Sequence, residues 1–293
     1  MICGDGVGDV VNPRVSVCVP ALNAERTIAA TLESILAQDF DDFEIVVIDN
    51  NSSDGTRSIV NSIKDSRIRL YHNETTLPMA ENWNTAVRHA RGELFKLVCA
   101  DDLIAPQCLS IQVDTMGDDG IAATSSLFDV VDDDGAVIAR QLGAHELQGY
   151  RTSEQAVRTL VRKLPDEVGP TGAFMFRTAD IAKTAGFRAN FMYALDIDLW
   201  VRLCARGAFY GQSVSLASNR ASSYNVSSRT STVSKFVDII RFNHAMGQEL
   251  SDRIRLLDVA TGDLRVARAA VRRLGIKTAD IARGHRRMPI SAK

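Results

Sequence analysis

The stretch from Val15 to Thr56, VSVCVPALNAERTIAATLESILAQDFDDFEIVVIDNNSSDGT, constrains the fold more than any other part of the chain. An apolar run, Val15 to Val19, stops at Pro20. An amphipathic segment follows from about Glu25 to Leu36, and a second apolar run, Phe43 to Ile48, ends in Asp49. The pattern reads as strand, helix, strand, with polar residues where each strand ends. In an open parallel α/β sheet, ligands bind at the carboxyl ends of the strands. Asp49, followed by Asn50, Asn51, Ser52 and Ser53, suits a polar ligand such as a nucleoside. The later KLVCADD, Lys96 to Asp102, repeats the pattern with two carboxylates. Together the two motifs point to a nucleotide bound through a metal.

The alternation continues. Strands are expected near 15–19, 43–48, 67–71 and 94–99, and helices over 25–37, 54–64 and 79–90, with Asp54 as an N-cap of the second helix. This predicts an α/β fold with a mostly parallel sheet flanked by helices. Residues 121–140 read as two strands around a DDDG turn, because Asp-Gly tolerates the positive φ of a tight reversal. Helices are expected over 152–164, 178–185 and Leu195 to Gly207, the last with Leu199, Trp200 and Leu203 as its apolar stripe. From about Val233 the chain is helical and increasingly basic, and the Ser/Thr/Asn/Arg-rich stretch Ser218 to Ser234 is a candidate boundary or mobile loop. The expected division is a flexible leader over 1–12, an α/β domain over 13–225 and a basic helical C-terminal extension over 226–293. The GDGVG run, Gly4 to Gly8, precedes the first strand instead of following it, so it reads as leader and not as a dinucleotide fingerprint.

With 293 residues the chain can bury a large core. No apolar run approaches the roughly 18 to 20 residues that span a bilayer, and the N-terminus lacks the basic and apolar regions of a secretory signal. The five cysteines are scattered without a C-x-x-C pair, as expected of reduced thiols in the cytoplasm. The net charge of −2 hides an asymmetry: Ser251 to Lys293 carries eleven Lys/Arg against four Asp, leaving −9 for the first 250 residues. An acidic body argues against nucleic-acid binding. In the tail, Arg265, Arg268, Arg272, Arg273, Arg283, Arg286 and Arg287 interleave with Leu264, Val266, Val271, Leu274, Ile276 and Ile281. That pattern fits peripheral contact with an anionic membrane at its inner face, or a helix packed on the domain with a solvated basic side.

Three acidic clusters compete for a metal. Asp101 and Asp102 follow an apolar strand, as Asp49 does, and hard cations such as Mg²⁺ or Mn²⁺ take one or two carboxylates and leave room for substrate phosphates. Asp132, Asp133 and Asp134 precede Gly135 between two β-like runs and read as a hairpin turn. Asp196 and Asp198 stand at a helix start, where the dipole favours acids. An i,i+4 pair with Arg202 accounts for Asp198 as an exposed helix contact, whereas Asp196 at the helix mouth is left for chemistry. The five histidines show no ligand spacing; Trp200 reads as packing, and Trp83 as packing or cleft lining.

At these residues the chain resembles glycosyltransferase family 2, the large inverting family with the GT-A fold. The resemblance runs from about Pro13 to Tyr210 through VSVCVPALNAE, EIVVIDNNSSDGT, ENWNTAVRHARGELFKLVCADDLIAP, GPTGAFMFR, GFR and LDIDLWVRL, six pieces in the family's order. It makes 13–225 a GT-A domain and implies roles by position. Asp49 matches the acid that hydrogen-bonds the donor nucleobase. Pro20, Ala21, Asn23 and Glu25 match the start of the nucleoside pocket, and Asn51 and Asn84 match polar positions beside the nucleotide. Asp101 matches the last acid of the Asp-x-Asp metal motif, with Asp102 as an alternative ligand, and Asp196 matches the catalytic base. Cys99 stands where that motif's first acid is expected, Leu195 stands in place of an acid before Asp196, and no Arg-x-x-His follows in 220–234.

The resemblance implies transfer of a sugar from a nucleotide-sugar donor, most simply a UDP-sugar, to a hydroxyl of a glycan or lipid-linked acceptor, with Mg²⁺ or Mn²⁺ as cofactor. Two other readings remain open: a sugar nucleotidyltransferase, which would need a Gly-rich basic loop where PALNAERT stands, and a non-catalytic nucleotide-sugar or glycan binder.

Overall fold

The computed structural model describes residues 12–163, 165–222 and 230–284. The GDGVG run, residues 223–229 of the expected loop and the side chains from Arg273 onward lie outside what is described.

Four parallel strands form the first half of one sheet. They are β1 (Val15–Ala21), β2 (Phe43–Asp49), β3 (Ile68–His72) and β4 (Leu94–Leu97), in the order β3-β2-β1-β4. The connecting helices are α1 (Ile28–Leu36), α2 (Thr56–Ser62) and α3 (Met79–His89). Every residue of β1 and β2 is buried, as expected of parallel strands covered on both faces. Register aligns the carboxyl ends: Ala21 lies beside Asp49, and Asp49 beside His72. The turn before β4 crosses β1 so closely that a Cβ at Gly92 would run into the backbone of Val15 and Ser16.

The chain continues through β5 (Leu103–Ile104), α4 (Cys108–Thr115), β6 (Ile121–Val131), β7 (Val137–Leu142) and β8 (Gly149–Arg151). Then come α5 (Ser153–Arg162), α6 (Pro165–Val168), β9 (Met175–Arg177), α7 (Thr178–Ala182), α8 (Leu195–Cys204) and β10 (Ala208–Arg220). The sheet extends as β4-β9-β6-β10-β5 and here becomes mixed: β9 is antiparallel to β4 and β6, whereas β10 is parallel to β6. The DDDG segment is the turn between β6 and β7. Asp132 Oδ1 accepts from the N–H groups of Asp134 and Ala136, and Gly135 takes φ +85°.

Ser218 to Arg220 is not a boundary loop. It is the end of β10, paired with Leu103 and with Asp129 to Val131. Two helices follow, α9 (Thr232–Glu249) and α10 (Leu256–Gly284). The start of α10 is fastened to the domain. The fully buried Asp258 pairs with Arg158 and Arg162, Arg265 pairs with Glu167, and Val266 is buried. Packing on the domain thus explains the basic tail as far as Val266.

The amino edge of the sheet is closed by a polar network. Glu44 accepts from the Ser16 hydroxyl (2.6 Å), the Arg91 N–H (2.8 Å) and the Arg69 guanidinium. Burial alone would raise its carboxyl, but these three donors hold it below the usual glutamate range. The carboxyl edge is open and carries the candidate site.

Candidate active site

The loop after β1 and the loop after β2 are sewn together by their own polar groups. Asn23 Oδ1 accepts from the Ser53 N–H (2.9 Å), and the Asn23 N–H donates to the Ser52 hydroxyl (3.0 Å). Glu25 Oε2 accepts from the Gly55 N–H (2.8 Å) and the Glu25 N–H donates to Asp54 Oδ2 (3.1 Å). Asn23 and Asn51 both have positive φ, 52° and 61°, a conformation asparagine tolerates better than most residues. Asp54 does not cap α2 as expected; the cap position is Gly55, and Asp54 Oδ1 accepts from the N–H and hydroxyl of Thr56 instead.

Asp49 is fully buried at the tip of β2. Oδ1 accepts from the Ser52 N–H (3.1 Å), and Oδ2 lies 2.9 Å from His72 Nδ1 at the tip of β3. His72 had no ligand spacing to recommend it; only the strand register brings it to Asp49. Behind this pair, Asn50 grips both backbone groups of Leu77 and accepts from Asn73. These bonds fix the loops at the carboxyl ends of β1 and β2, which carry Pro20, Ala21, Asn23, Glu25, Asp49 and Asn51 along one edge of the sheet.

Asn84, expected beside the nucleotide, is hydrogen-bonded to the loop after α7. Its amide oxygen accepts from the Phe187 N–H and its amide nitrogen donates to the Phe187 carbonyl, both at 2.8 Å. It buttresses the loop around Gly186 (φ +63°) from α3, with both ends of the amide committed. Trp83 packs edge-on against Phe187 and Trp200 stacks on Phe174, so both are core residues.

The acidic turn follows β4. Cys99, Asp101 and Asp102 place their potential ligand atoms within 4.8 Å of one another. Asp49 and Asp101 do not stand on neighbouring strands; β1 lies between β2 and β4, so the two acids flank the end of β1. The Thr27 hydroxyl ties the loop after β1 to the acidic turn, donating to the Ala100 carbonyl at 2.8 Å. Arg220, placed by sequence reading in a loop, is buried at the end of β10 and organises the turn. Its N–H donates to Asp102 Oδ1 (3.1 Å), its Nε to the Asp101 carbonyl (3.0 Å), and its Nη1 to the carbonyls of Asp132 and Asp133.

Burial pushes both the Asp101 and Asp102 carboxyls up, Asp102 further because of the charge on Asp101, and Arg220 offsets only part of this. Two crowded, desolvated carboxylates are what a divalent cation relieves, and oxygen donors suit Mg²⁺ or Mn²⁺. The donor set therefore fits such an ion. Cys99 is kept as a neutral thiol by burial first and then by the charges of Asp102 and Asp101, and its Sγ lies 3.4 Å from the Thr171 hydroxyl. The charge of Asp196 adds a smaller push in the same direction on the Cys99 thiol.

Asp196 sits half-buried in the first turn of α8 and accepts from the Ile197 N–H (2.8 Å). The turn leading into α8 is held from α9: Asp238 Oδ2 accepts from the N–H groups of Tyr193 (2.7 Å) and Ala194 (3.2 Å). Asp198 is not an exposed helix acid. It is fully buried, pairs with Arg188 and Arg202, and through Arg188 is linked to Glu249. Arg202 also donates to the Gly186 carbonyl, the loop that Asn84 buttresses. Asp198 therefore anchors the segment that presents Asp196.

Comparisons with known proteins agree with this geometry. The family model "Glycosyl transferase family 2" matches residues 16–181. An uncharacterized protein of Mycobacterium tuberculosis is 32% identical over 218 residues, covering 71% of this chain and 68% of that protein. The Escherichia coli UDP-Glc:alpha-D-GlcNAc-diphosphoundecaprenol beta-1,3-glucosyltransferase WfgD is 33% identical over 123 residues, covering 42% of this chain and 49% of WfgD. The chain thus spans about half the length of that relative. Among solved structures, S. aureus TarS in complex with UDP-GlcNAc has a TM-score of 0.64 at 20% identity, covering 79% of this chain and 66% of that one. The mannosyltransferase PcManGT of Pyrobaculum calidifontis, in complex with GDP-Man and Mn²⁺, has a TM-score of 0.57 at 20% identity, covering 93% and 81%. With its sheet, its loops at the carboxyl edge and these matches together, the chain belongs to glycosyl transferase family 2 and is a glycosyltransferase.

Proposed function

We propose that this enzyme transfers a sugar, with inversion at the anomeric carbon, from a UDP-sugar to a hydroxyl of a lipid-linked or other glycan acceptor, using Mg²⁺ or Mn²⁺. The observation that carries the reading is that Asp49 and the Asp101–Asp102 turn, a group of potential metal ligands, flank the tip of β1; the reading sets Asp196, in the first turn of α8, across from them. Asp49 accepts hydrogen bonds from the base, and the Asn23, Glu25 and Asn51 loops wall the nucleoside. Asp101 and Asp102 hold the cation, which when bound stabilises charge on the departing diphosphate. Asp196 takes the acceptor's proton as its oxygen attacks opposite the leaving group, which inverts the centre.

Support for the donor and acceptor comes from the company the chain keeps. WfgD is named for UDP-Glc and a diphosphoundecaprenol-linked sugar, TarS is seen with UDP-GlcNAc, and PcManGT with Mn²⁺. Residues 13–225 form the catalytic unit, and the extension over 226–293 steadies the acceptor side through Asp238 and brings a basic surface to the inner face of a membrane. No helix among the described residues is long and apolar enough to cross a membrane. Incubation with UDP-glucose, Mn²⁺ and a polyprenyl-diphosphate-linked N-acetylglucosamine tests the proposal by NMR of the product. A β-linked product from the α-linked donor is expected; an α-linkage, or no consumption of any UDP-sugar with or without metal, contradicts it.

A further inference from the structure

The helices α9 and α10 pack as an antiparallel pair. His244 Nε2 lies 2.8 Å from Asp263, Asn243 donates to the same carboxylate at 3.0 Å, and Gly247 sits against Val259. The inner faces bury Ile239, Phe242 and Met246 from α9 and Val259 and Val266 from α10. The outer faces do not behave as soluble helix faces should. On α9, Val233 (72% exposed), Val237 and Ile240 recur at intervals of four and three; on α10, Leu257, Leu264 and Val271 (70% exposed) recur every seven. Each set is one stripe of its helix. Single exposed apolar residues need no explanation, but a stripe on both members of one helix pair does.

Three cations stand within these stripes. Arg241 is one turn from Val237, and Arg268 and Arg272 flank Val271. All three are exposed, and none forms an ion pair with a described carboxylate. The nearby acids are engaged elsewhere: Asp263 is bonded to Asn243 and His244, and Glu249 to Arg188. The exposed residues of the face are therefore apolar and cationic, and the carboxylates beside it, Asp263 and Asp238, are hydrogen-bonded to other groups. The face is also continuous with the acceptor side. A groove of about 370 Å³ runs between Met192–Tyr193 and Val233–Val237, with Arg241 on its wall, and Asp196 follows Tyr193 by three residues.

We propose that the outer face of the α9–α10 pair is a docking surface for an anionic lipid bilayer, oriented so that an acceptor held in that bilayer meets the groove beside Asp196. The proposal rests on the lipid-linked acceptor reading above, and it differs from a simple basic tail because α9 supplies half of the face and Val266 none of it. An apolar stripe enters the headgroup region while arginines meet anionic lipid.

The test uses the full chain with vesicles of phosphatidylcholine alone and of phosphatidylcholine with phosphatidylglycerol. Co-sedimentation is expected only with the anionic vesicles and is expected to fall as salt rises. Replacing Arg268 and Arg272 with Gln should weaken partitioning about five-fold per charge. The triple change Ile240→Asp, Leu264→Asp, Val271→Asp should abolish it, while Mn²⁺-dependent binding of UDP stays as in the parent protein. Vesicle binding that survives the triple change overturns the proposal. So does a dimer in sedimentation equilibrium that the triple change dissolves, because a second copy then covers the face. Failure of the parent protein to bind UDP would instead count against the active-site reading, and leaves the vesicle result to be judged by itself.

Discussion

Asp196 and Asp198 are two residues apart on the same turn of α8, yet their surroundings assign them opposite kinds of work. Asp196 is half-buried, bonded to the Ile197 N–H. Asp196→Asn keeps shape and removes basicity, so kcat should fall by at least about 10²-fold with little change in affinity for UDP measured by calorimetry; an affinity that collapses with the rate would make Asp196 a binding residue. Asp198 is sealed between Arg188 and Arg202. Asp198→Asn leaves the buried Arg202 without a counter-charge and the half-buried Arg188 with Glu249 alone, and breaking a buried pair costs about 3–5 kcal/mol. The expected result is a large drop in the urea midpoint of unfolding, not a selective loss of turnover; an unchanged midpoint would contradict the buried network. Sequence spacing could show that Asp198 and Arg202 meet, but not that Arg188 joins them, because that contact depends on how the loop before α8 folds back. The same limit applies to Arg220 and His72. Nothing local marks them; β10 and β3 deliver them to the acids at Asp101–Asp102 and Asp49 through long-range pairing.

At the scale of elements, β1 and β2 were legible because parallel strands buried on both faces read as apolar runs ending in polar residues, whereas β3, half-buried at the sheet edge, alternates apolar and polar residues as IRLYH. The second half of the sheet was less legible. β10 carries Ser, Asn and Arg along its length and so resembles a loop, although its partners β6 and β5 bury it. The amino edge offers a test of how the elements are held. Glu44 joins β2 to β1, to β3 through Arg69 and to the turn before β4 through Arg91. Its carboxyl is held below the usual range, so its contribution to stability is complete above the ordinary glutamate pKa of about 4.3 and is lost as pH falls through the lowered value. Glu44→Gln should therefore cost about 1–3 kcal/mol near neutrality, and the gap between the two proteins' melting temperatures should close in acid. A gap that stays constant from neutral to acid pH would show that Glu44 does not titrate as part of this network.

For the whole molecule, the candidate site gathers at one edge of one sheet, and the C-terminal helices hold the entry to α8 through Asp238. The tail was readable as basic and amphipathic, but which side faces outward was not, since the docking of Asp258, Val259, Asp263, Arg265 and Val266 fixes the rotation of α10. The central claim, that Asp49 and the Asp101–Asp102 turn together bind a nucleoside diphosphate through a metal, is open to one direct measurement. Calorimetric titration of UDP into the parent protein should give saturable binding with Mn²⁺ present and much weaker binding with chelator, and Asp101→Asn should abolish the metal-dependent part while Asp133→Asn, in the hairpin turn, leaves it intact. UDP affinity that is the same with Mn²⁺ and with chelator, or that is untouched by Asp101→Asn, would contradict the account.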